Sequence, residues 1–257
     1  MASIHPTAVI HPAANVAPDA EIGPYCIVGE HVTIGSGTKL HPHAVVGGYT
    51  NLGKNCELYP FACIGMKTQD LKWKPENKTF VEIGDGTVLR EYVTVNMGTQ
   101  DGEVTKVGSG CLIMAYCHIA HGCVVGNRVI IANSVQLAGE VTIFDDAIIG
   151  GMTGIHQFCR IGTMAMVGGG TKIRQDCPPY MIVDGSPAAV VGPNVVGMQR
   201  HGIPQETRSL LKESFRLLYR EGLNRSQALD RIHYEVTNSA EILNLIEFVK
   251  SSERGVI

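Results

Sequence analysis

Aromatic side chains are scarce in this chain: one Trp, six Phe and eight Tyr make up 6% of 257 residues. That scarcity fits a thin interior with little room for rings. Charge of one sign is missing too, since a formal net charge of -3 gives no footprint for nonspecific nucleic-acid binding, and no zinc-finger spacing or RNA-binding signature appears. The N-terminal MASIHPTAVIHP lacks a basic region followed by a long apolar run, and no stretch approaches the length of a membrane span. A soluble, cytoplasmic protein is expected.

What the chain does have is a period of six. From Ile4 it reads IHPTAV, IHPAAN, VAPDAE, IGPYCI, VGEHVT, IGSGTK, an aliphatic residue opening each hexad and a small one four places later. The phase holds through Ile64, resumes at Ile83, Leu89 and Val95, and resumes again from Val107 to Ile173. Six matches neither the alternation of an ordinary strand nor the 3.6 of a helix; it suits a solenoid of short flat strands joined by tight corners. The expected fold is a mainly β parallel β-helix, three hexads to a coil, with coils roughly 4.8 Å apart and residues 18 apart as vertical neighbours. Seven of the eight cysteines (Cys26, Cys56, Cys111, Cys117, Cys123, Cys159, Cys177) fall on the small inward position. They read as reduced core fillers rather than as a disulfide or zinc framework.

Two insertions break the repeat, at 65–82 and 97–106. If they add nothing to the coils, the hexads opening at Ile64, Val95, Ile119, Leu137 and Ile155 share one side of the solenoid. Both loops then leave from the side that carries His121, Gly139 and His156, and insertions on repeat proteins gather on the binding face. The repeat is expected to occupy 1–178. A Gly/Pro-rich connection, 179–203, leads to a helical domain, 204–257, with helices from Pro204 to about Glu221, Ser226 to Val236 and Ser239 to Ser251. Arg208, Lys212, Arg216 and Arg220 form one basic stripe, either a solvated face or a dock for an acidic partner protein. Leu112, Ile130, Ile148 and Met166, spaced by 18 and pointing outward, form an apolar column that predicts a cyclic homo-oligomer.

His121 stands third in its hexad, with Gly139 one coil above and Gln157 above that. An imidazole takes a proton near neutral pH, and a glycine amide one coil away donates to a developing oxyanion, the two parts that acyl transfer needs. No nucleophilic Ser or Cys stands with them, so direct attack by the substrate is favoured over an acyl-enzyme. His118, His121 and His156 also raise the comparison with hexapeptide-repeat carbonic anhydrases, but no derivable arrangement brings three of them into tetrahedral geometry.

The segments HIAHGCVVGN, ANSVQLAGEVT, GGMTGIHQFCRIG and QDCPPYMIVDGSPA resemble the UDP-N-acetylglucosamine O-acyltransferases that begin lipid A synthesis. The likeness covers nearly the whole chain. It implies a left-handed β-helix, a homotrimer with active sites between subunits, no cofactor or metal, and transfer of an (R)-3-hydroxyacyl group from acyl carrier protein to the sugar 3-hydroxyl. His121 then becomes the general base and the Gly139 amide the oxyanion donor. Asp70 and Lys72 match positions that contact sugar and acyl groups, and His118, His156 and Gln157 others that line the substrate cleft. Asn194 and Arg200 match positions near the nucleotide and its phosphates, and the basic stripe becomes the carrier-protein dock.

Departures from the family pattern carry their own expectations. Gly122 stands where the family usually has Asp, and Glu140, one coil above it, where the family usually has His. Glu140 is therefore expected to orient His121, or alternatively to face a cationic acceptor and favour N-acylation of a 3-amino sugar. Asn96 and Met97 replace a His-Arg pair, and His201 a second Arg, which weakens expected phosphate or sugar contacts. Gly169 matches the position that limits acyl length, and glycine there predicts a longer chain. A solenoid that only binds carrier protein is the rival from outside catalysis.

Overall fold

Each hexad becomes a strand of two residues and a corner. In Ile130–Ile131 the second side chain is buried at 0% exposure while the first faces outward, and the pattern recurs in strand after strand. Short strands follow from the corners: the fourth position of many hexads takes φ near +60°, as at Tyr25, His43, Phe61, Tyr92 and Tyr116, and turns the chain by about a third of a circle. The computed structural model describes residues 3–236 and 239–257. Within them the strands stack into sheets of 11, 9 and 8 members, forming the three walls of a left-handed parallel β-helix.

Coils pair in parallel and in register, with one bulge between Ile64 and Met66 where the first loop leaves. Ile113 lies against Ile131 and Ile131 against Ile149 on one wall, while Ile64, Val95, Ile119, Leu137 and Ile155 are consecutive partners on another. The insertions thus add nothing to the rungs. Both leave the nine-stranded wall, after Cys63–Met66 and Thr94–Asn96, and rejoin the eight-stranded wall at Phe80–Ile83 and Val104–Val107. They also hold each other: Asn77 Nδ2 donates to the Thr99 carbonyl at 2.8 Å and the Lys78 N–H to Asp101 Oδ1 at 2.8 Å.

The seven inward cysteines are buried and unpaired. Several donate their thiol protons to carbonyls near the next coil, Cys117 to Ala132 at 3.0 Å and Cys123 to Ala138 at 3.1 Å. The scarce aromatics lie mostly outside the core. Tyr25, His43, Phe61, Tyr92 and Tyr116 stack along one outer corner with ring centroids 5.0 Å apart, an arrangement that only the coil spacing could impose.

The repeat runs further than its sequence signal. Met181–Asp184, within the segment expected to be a connection, pairs in parallel with Met166–Val167, and Ala189–Pro193 folds back antiparallel on it. A short helix, α1 (Val195–Arg200), follows, capped by Asn194. Then come α2 (Gln205–Tyr219), α3 (Arg225–Arg231) running on into a π-helical turn Ile232–Val236, and α4 (Ala240–Lys250), close to the expected helices. No described helix is long and apolar enough to cross a membrane.

An ion pair between half-buried Arg160 and buried Asp176 fastens the helices to the solenoid. Asp176, 1% exposed, accepts from Arg160 Nε and from Ser252 Oγ, both at 2.8 Å, while Arg160 Nη2 donates to the Phe248 carbonyl at 2.9 Å and its guanidinium lies 4.4 Å from the Phe248 ring. Removing the carboxylate leaves the Arg160 N–H, Arg160 Nε and Ser252 Oγ without their charged acceptor. Asp176→Ala is expected to lower unfolding free energy by about 3 kcal/mol in urea titrations at fixed protein concentration. Breaking the exposed Lys39–Glu21 pair should leave the unfolding midpoint nearly unchanged.

Candidate active site

The loops and the nine-stranded wall enclose a cavity of about 360 Å³. Six residues expected at the site line it: Asp70, Lys72, His118, His121, Glu140 and Gln157. At its centre the His121 imidazole lies across Gly139. A Cβ on Gly139 would sit 2.4 Å from Nε2 and 2.5 Å from Cε1, so only glycine leaves the ring its place. The Gly139 N–H, among the described groups, donates to no acceptor in the chain, while the carbonyls on either side hold the corner through Glu140 N–H to His121 O and Phe158 N–H to Gly139 O.

Carboxylates approach the imidazole from both edges. Asp70 Oδ2 is 3.6 Å from Nε2 and Glu103 Oε1 is 3.6 Å from Nδ1. The Lys72 N–H, donating to Asp70 Oδ1 at 2.9 Å, and the nearby His121 and Lys72 charges hold the Asp70 carboxyl below its ordinary value. His118 is held by Thr94 Oγ1 at 2.7 Å from Nδ1, and burial, with His121 behind it, pushes its proton affinity down. Cys123, the thiol nearest in sequence, is pushed up to about 12 by burial and is a poor nucleophile at neutral pH.

Glu103 is the residue the repeat could not reveal. It comes from the second loop, and where Glu140 was expected to orient His121 it is Glu103 that stands at Nδ1, with no ion pair joining Glu140 to His121 within 4.0 Å. Its only sequence signal was an acidic residue in a loop that leaves from the wall of His121. The space beside Gly122, φ +64°, is taken by these glutamates: a Cβ there would meet Glu103 Oε1 at 2.2 Å and Glu140 Cδ at 2.6 Å.

Other expected residues lie apart. His156 borders a separate apolar groove of about 330 Å³, with Leu137, Ala138, Gly154, Ile155 and Ile173, so the three histidines do not assemble as one set. Gly169 is exposed at a corner where an added Cβ would meet only Gly151 atoms, at 3.2 Å and beyond. Asn194 is buried, its Oδ1 capping α1 at the Gly197 N–H and its Nδ2 donating to the Met164 carbonyl at 2.8 Å. Arg200 is exposed at the end of α1. Along α2, Arg216 is paired with Glu213 and Glu221, Arg208 donates to Gln205, and Arg220 lies 5.3 Å from the Phe215 ring; Lys212 is exposed. The stripe is continuous in position but partly neutralised.

A solenoid of hexads carrying a histidine and a side-chain-free amide at one corner is the framework of a hexapeptide-repeat acyltransferase. The family model for bacterial transferase hexapeptides matches residues 1–36 and 105–139, and that for UDP N-acetylglucosamine O-acyltransferase, domain 2, matches 176–257. An acyl-[acyl-carrier-protein]–UDP-N-acetylglucosamine O-acyltransferase of Thiobacillus denitrificans is 45% identical over 190 residues, 74% of this chain and 73% of its own. The LpxA structure from Acinetobacter baumannii superimposes with a TM-score of 0.95 at 46% identity, and that from Bacteroides fragilis with 0.96 at 39%, each covering 99% of both chains. The chain belongs to the acyl-[acyl-carrier-protein]–UDP-N-acetylglucosamine O-acyltransferases. These relatives are named for O-acylation, which leaves the 3-amino acceptor without their support.

Gly139→Ala adds one methyl beneath the His121 ring. It is expected to lower kcat by about a hundredfold through displacement of the base, with an unchanged denaturation midpoint, in steady-state assays run beside urea unfolding.

Proposed function

We propose that the protein transfers a 3-hydroxyacyl group from acyl carrier protein to the 3-hydroxyl of UDP-N-acetylglucosamine by direct attack, His121 acting as base. The observation that carries this reading is the His121 imidazole seated against Gly139, base and free N–H at one corner. His121 Nε2 takes the proton of the sugar hydroxyl as its oxygen attacks the thioester carbonyl. Charge gathers on the carbonyl oxygen, where the Gly139 N–H donates to it. Collapse forms the ester, breaks the C–S bond and returns the proton from His121 to the departing thiolate. Asp70 and Lys72 face the cavity from the first loop as contacts for the acceptor, and Gln157 from the coil above, and no cofactor or metal enters the scheme.

The functional unit is a cytoplasmic homotrimer with sites between subunits. Asn194 and Arg200 lie outside the cavity of their own chain, so nucleotide contacts from that segment come from a neighbour's surface. Leu112, Ile130 and Ile148, half-buried, and Met166, exposed, form the outward column on the eleven-stranded wall that supports the association. Lys212 and Arg220 are the stripe members best placed to meet an acidic carrier protein. The apolar groove beside His156 takes the acyl chain, with Gly169 leaving the far end open for a long one.

Mass spectrometry of products tests the reaction itself. Given UDP-N-acetylglucosamine, its 3-amino analogue and a mixture of 3-hydroxyacyl carrier proteins, the enzyme should form an ester on the first, and His121→Ala should be slower by about a thousandfold. Amide alone, or equal rates from the variant, would refute the reading; carrier binding without any product would mark a binding solenoid. With the same donor mixture, Gly169→Met should shift preference toward shorter chains by about tenfold or more. An unchanged product distribution would remove Gly169 from the acyl path.

A further inference from the structure

Two carboxyl groups crowd the edge of His121 that faces away from Gly139. Glu103, Glu140 and His121 each place one polar side-chain atom within 4.8 Å of the others. Their surroundings differ. Glu103 Oε2 accepts the backbone N–H groups of Thr99 at 2.5 Å and Gln100 at 2.7 Å, donors that favour a charged acceptor. No such donor serves Glu140. Glu103 Oε1, buried, has no hydrogen-bond partner, and neither has His121 Nδ1, 3.6 Å away.

The geometry points to one proton shared between the two glutamates: Glu140 holds it and donates toward Glu103, and ionised Glu103 fixes the proton of His121 on Nδ1, leaving Nε2 free to act as base. Glu103 is thus a positioning residue, acting through His121. This deepens the proposed function and rests on His121 being the base. The burial of Glu140, followed by the charge of Glu103, raises its carboxyl above the ordinary value, as a protonated partner requires. The other charged or titratable groups on the cavity are Lys72 from the first loop, His118 from the coil of His121, and Asp70, whose Oδ2 lies 3.6 Å from Nε2 at the edge where the acceptor hydroxyl has to enter and take its place beside the ring. Gly122 is part of the device. With φ at +64° and its Cβ direction filled by both glutamates, it yields the site where a carboxylate next to His121 would otherwise stand.

The sign of the pH effect follows. Glu140, a carboxyl with raised affinity for its proton, favours the ordered site below its ordinary value and up to its raised one, and loses that contribution as pH rises through the raised value. Above it, two negative charges face each other beside His121.

Steady-state kinetics of the full-length enzyme across pH, with UDP-N-acetylglucosamine and acyl carrier protein, test the assignment. Glu103→Gln keeps an acceptor oxygen for the loop but turns an N–H toward Nδ1, which favours the wrong tautomer. Its kcat should fall by about a hundredfold or more with KM for the sugar nucleotide little changed. Glu140→Gln mimics the protonated acid; it should lose less than about tenfold, and the part of the profile that falls as Glu140 gives up its proton should flatten. A second arm guards against damage to the loop: Glu103→Asp, which keeps a carboxylate at this position, should recover part of what Glu103→Ala loses. Larger loss from Glu140→Gln than from Glu103→Gln, or a pH profile unchanged by Glu140→Gln, would overturn the shared-proton arrangement while an inactive His121→Ala left the base in place. Full activity in His121→Ala would instead remove the reading beneath it.

Discussion

Parallel hydrogen bonding between coils, held in register except at the bulge where the first loop leaves, is the constraint on which everything else depends. A solenoid of two-residue strands has almost no freedom along the chain, so each side chain's vertical neighbour is decided by counting hexads. Ile113, Ile131 and Ile149 stack for this reason, and so do the outer rings from Tyr25 to Tyr116. His121 and Gly139 are one more such pair. Where an enzyme on another fold must hold base and oxyanion donor together with loops, here the core does it, and the functional residue at Gly139 is the absence of a side chain.

What the solenoid fixes, the loops modulate. They leave together from the wall of His121, bond to one another through Asn77 and Lys78, and close over the imidazole with one carboxylate at each edge. Removing such loops would leave the corner stacked but open to water, which weakens every electrostatic contact there. The buried cysteines contribute in a different way: with thiols raised by burial, Cys117 to about 11 and Cys123 to about 12, they fill small inward positions without offering a nucleophile that would compete with direct attack.

The walls, the side shared by both loops and the stack of His121, Gly139 and Gln157 were legible in the sequence because a period of six maps directly onto geometry. Glu103 was not legible, because a loop obeys no period, and its place beside Nδ1 depends on the Thr99 and Gln100 amides that hold its other oxygen. The rung Met181–Asp184 was hidden for a related reason: Pro178 and Pro179 broke the hexad signal, yet the next strand still finds the exposed edge of Met166–Val167. Charge on α2 was read correctly as a row but not as paired, since Glu213 and Glu221 neutralise Arg216 from positions that a count of one sign passes over. Asn194 adds a local role that its match to the nucleotide did not reveal, its amide capping α1 and bonding the Met164 carbonyl within its own chain.

The coupling of base and amide at one corner is the central claim, and a double-mutant cycle on kcat measures it. Single-turnover rates would be taken for His121→Ala, Gly139→Ala and the two together. If Gly139 acts by giving the His121 ring its place, the double variant should be about as slow as His121→Ala alone, because the methyl has no ring left to displace. Losses that multiply would mean that the two positions act independently, and the stacked corner would not be the source of the chemistry.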